Sequence, residues 1–359
     1  MQKKVKELIV VVLETLLITG VTVFSVLPVS CKFSQSGIHL LGGDYVPPKL
    51  DQVVVLDETT LRMTFSEKVQ VSAQVFVRDG ELFDEEVGTS VVYGSVEKQI
   101  DVCFNEPMIT GIEYEMVGTV KDNVGNSTTF LIPFVGFNSR VPLIVMTEIQ
   151  SESVNSQTSD ESAHGYNRNE FVEFLVLTDG NLSGLEFVSA YDGVERGFKF
   201  PGLEVKRGEI LLVHLRKRGN GCVSELGDDL NLSKNSYSKN GIRDLWVTTE
   251  ETALGNKTDV LVVRNSANGS VIDYVFYRES KVVEWNKKFS AVLEFLKDYV
   301  DINDVEIAAL ADGKSSTKTL NRSDAGMLLE KVKTGFEFSS PLEMQGDNWI
   351  IAPANPGTL

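Results

Sequence analysis

Only three histidines, His39, His164 and His214, occur in the 359-residue chain, so imidazole acid–base or metal chemistry has three places to reside. His214 falls in ILLVHLRKR, where the two-residue period of a strand puts it on one face with Ile210 and Leu212. That apolar company predicts a structural histidine rather than a general base, which needs a positioned partner. His164 lies in SDESAHGYNRNEF, with Asp160 and Glu161 before it and Glu170 and Glu173 after it. Imidazole and carboxylates suit zinc, but this spacing follows no ligand pattern, and a solvated loop is the expectation. His39 falls in the stretch expected to be a tether, 31–46.

Glu170 and Glu173 stand three apart, so in a strand they project to opposite faces and cannot act as a carboxylate pair on one surface. Their expected role is structural: one on the outer face, the other bonded to a neighbouring strand's lysine or backbone. Calcium would look to Glu81–Glu86 (ELFDEE) or to Asp298, Asp301 and Asp304, yet that trio lacks the turn glycine and closing glutamate of an EF-hand loop. The chain has no His-Glu-x-x-His, no Gly-x-Ser-x-Gly, no phosphate-cradling glycine loop with its lysine, and no Cys-x-x-Cys. No catalytic, cofactor-binding or metal-binding residue is assigned, and enzyme chemistry is not expected.

The elements that would position these residues are strands. From Pro47, PPKLDQVVVLDETTLRMTFSEKVQV alternates apolar and polar residues, and VSAQVFVRDG, GSVEKQIDVCF and GIEYEMVGTVKDNVGNSTTFLIPF continue the pattern. KDNVGNSTT supplies turn chemistry through Asp122, Asn123, Gly125 and Asn126. A second series begins at Leu143 with NEFVEFLVLTDGNLSGLEF, FKFPGLEVKRGEILLVHL, LGNKTDVLVVRNSANGSVIDYVFY, SSTKTLNR and NWIIAPANPG. Two interruptions stand out. The polar tract from Cys222 to Gly241 predicts a long loop, functional or disordered. Val282, Trp285, Phe289, Val292, Leu293, Leu296 and Val300 recur at helical spacing, predicting an amphipathic helix inserted at about 281–312 that caps the sandwich. The fold class is therefore mainly β: two sandwiches, the second with a helical insertion.

A net charge of −17 excludes nucleic acid as a natural partner, because phosphate contacts need clustered Lys and Arg. The one basic knot, Arg216, Lys217 and Arg218, fits a solvated loop. Cysteines number three, and Cys103 and Cys222 fall in different series of strands, which favours two thiols over a staple. Cys31 follows Lys3, Lys4 and Lys6, an apolar run from Leu8 to Leu27 interrupted by Glu14, and then small residues. This is the order of a secretory signal peptide.

Three resemblances follow from these residues. Leu27, Pro28, Val29, Ser30 and Cys31 look like a relaxed lipobox of bacterial lipoproteins, with Pro28 where the usual pattern has Leu. This implies lipid attachment at Cys31 and acyl anchoring in a membrane. The opening prolines, TLRMTFSEKV and the DNVGN turn resemble bacterial immunoglobulin-like (Ig-like) modules over 47–138. Asn169–Glu173, Leu182–Gly184, the Asp259 and Asp273 strand pair, Arg322, and Trp349 with Pro356 and Gly357 are similar to the lamin tail domain, itself an immunoglobulin-like sandwich, over 139–359. The expected plan is a signal peptide at 1–30, a tether at 31–46, and the two sandwiches.

Function is expected at the bacterial cell envelope, facing the periplasm or the cell surface. The protein would be lipid-anchored and act without catalysis in adhesion, scaffolding or binding of an envelope or extracellular protein. The alternatives are a module of a secreted hydrolase or nuclease, or a carbohydrate binder using the loop aromatics Tyr166 and Tyr237.

Overall fold

A computed structural model describes residues 44–80, 82–152, 170–216, 221–235, 237–247, 252–338, 341 and 346–359. Cys31 with the signal peptide, His39, Glu81, His164, Tyr166, Asn169, Lys217 and Arg218 lie outside the described residues. Of the unit Met1–Val46, only Asp44–Val46 are described, with the Val46 amide donating to Asp44 at 3.0 Å. Everything from Pro47 to Leu359 belongs to one other unit.

Within that unit, β1 (Leu50–Asp57), β2 (Thr60–Phe65), β3 (Gln70–Asp79), β4 (Leu82–Val87), β5 (Thr89–Tyr93), β6 (Gln99–Phe104), β7 (Glu113–Lys121) and β8 (Ser127–Val135) come first. They form two antiparallel sheets in the orders β1-β2-β6-β5 and β4-β3-β7-β8. Alternate residues point inward: Leu61, Met63 and Phe65 from β2 meet Tyr114 and Met116 from β7 in one core. Both sheets contribute to that core, which makes the arrangement a sandwich. The turn between β7 and β8 runs as its residues require. Asp122 Oδ1 accepts from the amides of Val124, Gly125 and Asn126, and Gly125 takes φ +100°.

Next come β9 (Ile144–Gln150), β10 (Phe171–Val176), β11 (Gly180–Asn181), β12 (Leu185–Ser189), β13 (Phe198–Lys199), β14 (Glu204–Val205), β15 (Ile210–His214) and β16 (Arg243–Trp246). The series closes with β17 (Thr258–Asn265), β18 (Val271–Arg278), β19 (Ala309–Leu310), β20 (Lys318–Arg322) and β21 (Trp349–Pro353). A six-stranded sheet, β16-β15-β10-β9-β20-β21, faces a five-stranded one, β13-β12-β17-β18-β19. Met146, Phe174, Val213 and Leu320 from the first pack on Phe187, Leu261 and Val275 from the second. The chain is thus mainly β, built of stacked, largely antiparallel sheets.

Both sheets of this second sandwich are covered on their outer faces as well. On the five-stranded sheet, Phe289, Val292, Leu293 and Leu296 pack onto Val260, Val262 and Phe276. These side chains come from consecutive short turns of 3-10 and α-helix, Lys287–Phe289, Ser290–Leu293 and Glu294–Leu296. The expected helix therefore caps its own sandwich but is shorter than its apolar spacing suggests. Downstream aspartates compete for the backbone: Asp301 accepts from the Asn303 amide and Asp304 from the Glu306 amide, fixing turns instead. On the six-stranded sheet, Leu328 and Val332 of the helix Ala325–Lys333 pack on Val145, Leu175 and Leu177. No helix among the described residues is long and apolar enough to cross a membrane.

Candidate functional site

The outer face of the six-stranded sheet gathers most of the chemistry-bearing residues. Alternation sends Val172, Phe174, Leu211 and Val213 into the sandwich core, and leaves Phe171, Glu173, Leu212 and His214 on the other side. There His214 lies fully buried, with Nε2 bonded to Asp244 Oδ1 and its ring stacked on Trp246 at 3.8 Å between centroids. Phe171 approaches its edge at 6.5 Å. His214 shares its face with Ile210 and Leu212, and its Nδ1 is buried with no hydrogen-bond partner among the described residues.

Glu225 organises the loop that covers this histidine. Its Oε1 accepts from the amides of Leu232 and Ser233 at 2.9 and 3.1 Å, and its Oε2 accepts from the Asp244 amide at 2.9 Å. In return the Glu225 amide donates to the Asp244 carbonyl, and the Trp246 amide donates to Ser224 Oγ. Trp246 Nε1 donates to Ser233 Oγ at 3.0 Å. These bonds occupy the outward polar groups of β16, the last strand of its sheet, and so blunt an edge that would otherwise invite pairing. The Cys222–Gly241 tract is thus a fitted cap over an edge strand rather than a loose loop. Tyr237 is buried beneath it, with its hydroxyl donating to the Ser316 carbonyl at 2.7 Å, which removes it as a rim aromatic for sugar.

The two glutamates of the sequence pattern take separate partners. Just before β10, Glu170 pairs with Arg216 at 3.1 Å and accepts from the Leu254 amide at 3.0 Å. On β10, Glu173 is buried and accepts from Thr147 Oγ1 at 2.7 Å and from the Gly357 amide. Opposite it in register on β9 is Glu148, a carboxylate that strand patterning does not single out. Glu148 accepts from Thr319 Oγ1 at 2.5 Å and from the Asn355 amide at 3.1 Å. Burial pushes Glu148 up to about 7, with the neighbouring Glu173 adding to the rise, and burial raises Glu173 as well.

Two aspartates are buried between the layers. Asp259 accepts from Ser189 Oγ at 2.6 Å and from the amides of Tyr191 and Gly255 at 2.8 Å, and burial raises it to about 6 despite those bonds. Asp273 accepts from the Met146 amide at 2.7 Å and joins the two sheets; burial raises it to about 6, with the Arg322 charge drawing it back down. Arg322 pairs with Asp324 at 2.8 Å and stands opposite Trp349 in register. Lys314 donates to Ser151 Oγ at 2.6 Å above the Tyr277 ring, and burial lowers it to about 8. Cys103 is half-buried on β6, Cys222 is buried, and both are thiols.

The edge cap meets solvent with Asp228, Asp229, Asn231, Lys234, Lys239 and Asn240, and among them stand three apolar side chains. Val223, Leu226 and Leu232 are 41%, 55% and 46% exposed. Leu226 also lines a cleft of about 460 Å³ between the edge strands β16 and β13, with Phe198, Pro201, Trp246 and Val247 as its apolar wall and Arg196 and Lys199 beside it. Glu148, Asp244, Glu225 and the Leu226 cleft are not anticipated from sequence. A charge inside apolar VMTEIQ or RDLW is the available signal, because such a group must find partners when buried.

Among known proteins, a Treponema pallidum (strain Nichols) protein described as "Uncharacterized protein" is 27% identical over 182 residues, which cover 50% of this chain and 43% of that protein. The chain thus spans less than half the length of the curated relative it matches. Among solved structures, the N-terminal part of the bacterial S-layer protein SbsC is 14% identical, with 64% of this chain and 43% of that one covered and a TM-score of 0.24. A DUF4876 family protein from Bacteroides thetaiotaomicron is 12% identical, with 60% and 75% covered and a TM-score of 0.23. Likeness at that level carries nothing about what the chain binds. A family model named TP_1001_2nd, described as protein second domain, matches residues 142–351. That match spans more than half of the chain and nearly all of the second sandwich, and the chain belongs to this family.

Proposed function

We propose that this is a lipid-anchored protein of the bacterial envelope that works by binding another polypeptide, without catalysis of its own. The observation that carries the reading lies on the edge cap: Val223, Leu226 and Leu232 stand in solvent among its polar residues, and Leu226 lines the cleft walled by Phe198, Pro201, Trp246 and Val247. Exposed apolar groups gathered on one ordered loop favour protein contact. The described acid–base candidates support the same view, since Glu170 and Glu173 accept bonds that hold loops in place, and His214 is buried with Nε2 held by Asp244. Anchoring through Cys31 rests on the lipobox resemblance of Leu27–Cys31, and the Ig-like and lamin-tail kinship of the two sandwiches belongs to the same proposal.

The test has two arms in intact cells. Metabolic labelling with a palmitate analogue is expected to mark the wild type and not Cys31→Ser, which leaves the membrane fraction. A crosslinked protein partner is expected with the wild type and is lost in the Leu226→Glu, Leu232→Glu double variant, while that variant remains folded and membrane-bound. Turnover of a small substrate by the purified protein, abolished by His214→Ala, would contradict the binding reading.

A further inference from the structure

The segment Asn355–Leu359 crosses the outer face of the six-stranded sheet and is fastened by two buried acids. Glu148 takes the Asn355 amide, and Glu173, opposite it across the β9/β10 ladder, takes the Gly357 amide. Gly357 has φ +82°, and a Cβ there would come within 2.7 Å of Ile242, just before β16, so the segment runs close against that turn. Beyond it, Leu359 packs with Leu328 and Leu329 on Val145 and Leu175.

We propose that Glu148 and Glu173 hold one proton between them, and that losing it loosens this segment from the sheet, making the strap a pH-sensitive latch. Like charges directly opposite in a ladder repel, and neighbouring buried carboxyls resist ionising together. The remaining groups around the pair do not relieve that repulsion. Thr147, Thr319 and Asn321 face it from β9 and β20 and are neutral. The segment itself brings backbone amides, Lys239 near Gly357 is exposed, and Arg322 at the border of the site is paired with Asp324. Neither glutamate is in an ion pair among the described residues. With the proton gone, hydration is the available relief. A cleft of about 510 Å³, with Glu173 on one wall and Asn355, Thr358 and Leu359 on the other, gives water its way in. Lifting the strap would bare the apolar group of Val145, Leu175 and Leu328.

Hydrogen exchange of the full chain, corrected for intrinsic rates, tests this at about pH 5.5 and about pH 8.5. The expected result is an about tenfold or larger loss of protection at the higher pH in peptides covering 354–359, with β10 and β15 unchanged, and no such loss in Glu148→Gln. Equal protection at both pH values, a loss shared by β10, or an unchanged loss in Glu148→Gln overturns the latch. Should that variant fail to fold, infrared spectra of the wild type decide. A protonated buried carboxyl band persisting at about pH 7, above the range near 6 where Asp259 and Asp273 release their protons, and fading by about pH 8.5 supports the shared proton, and its absence at about pH 7 refutes it.

Discussion

The two sandwiches solve the same problem with different means. The first leaves its outer faces wet: β2 and β6 alternate buried and half-buried positions throughout, and Asp122, in a turn, is its one buried polar side chain among the described residues. The second is covered on both faces of both sheets, so β9, β10 and β18 are buried at every position. A strand buried on both sides cannot exile its polar residues to solvent, and each must be satisfied inside. Glu148, Glu173 and His214 on the outer face of the six-stranded sheet are the result, while Asp259 and Asp273 lie in the core between the sheets. The difference teaches that a second packed layer brings carboxylates such as Glu148 and Glu173 inside, where each takes its own donors.

Breaking the polar layer should hurt far more than breaking the first sandwich. Asp259→Ala orphans Ser189 Oγ and the amides of Tyr191 and Gly255, and is expected to cost about 4 kcal/mol in denaturant unfolding. The pH dependence should be nearly as telling. Glu148 near 7, and Asp259 and Asp273 near 6, all lie above their ordinary values, so the folded chain keeps protons that the unfolded chain has released. Stability therefore falls as pH rises from about 4 to about 7, and rises again above about 8, where the folded chain has released the Lys314 proton that the unfolded chain still holds. All three tryptophans, Trp246, Trp285 and Trp349, lie in the second sandwich, so unfolding followed by their fluorescence reads this trend directly.

Smaller effects sharpen the contrast. Asp122→Ala removes a turn acceptor from three amides and is expected to cost about 1–2 kcal/mol. Arg62→Ala breaks the partly exposed pair with Asp101 and should cost less than about 1 kcal/mol. Leu226→Glu touches nothing the fold needs and is expected to leave stability within about 0.5 kcal/mol while removing partner contact.

This contrast also explains what can be read from sequence. Where one face is wet, as in TLRMTF and QIDVCF, the two-residue period is plain, and the Asp122–Asn126 turn announces itself by composition. In the doubly covered sheet the signal fades, because IVMTEIQ is buried throughout and Glu148 looks like a surface residue. Ala325, Leu328, Leu329 and Val332 carry a helical period too short to stand out beside the longer run at Phe289–Leu296. The Cys222–Gly241 tract reads as loose because its order comes from one glutamate bonding three distant amides, and no local pattern records that.

Photo-crosslinking in intact cells from a probe placed at Leu226 tests the central claim most directly, with a second probe at exposed Leu131 of the first sandwich as the reference. The predicted result is one reproducible protein adduct at 226 that is absent at 131. Identical background at both positions would contradict a binding role for the edge cap.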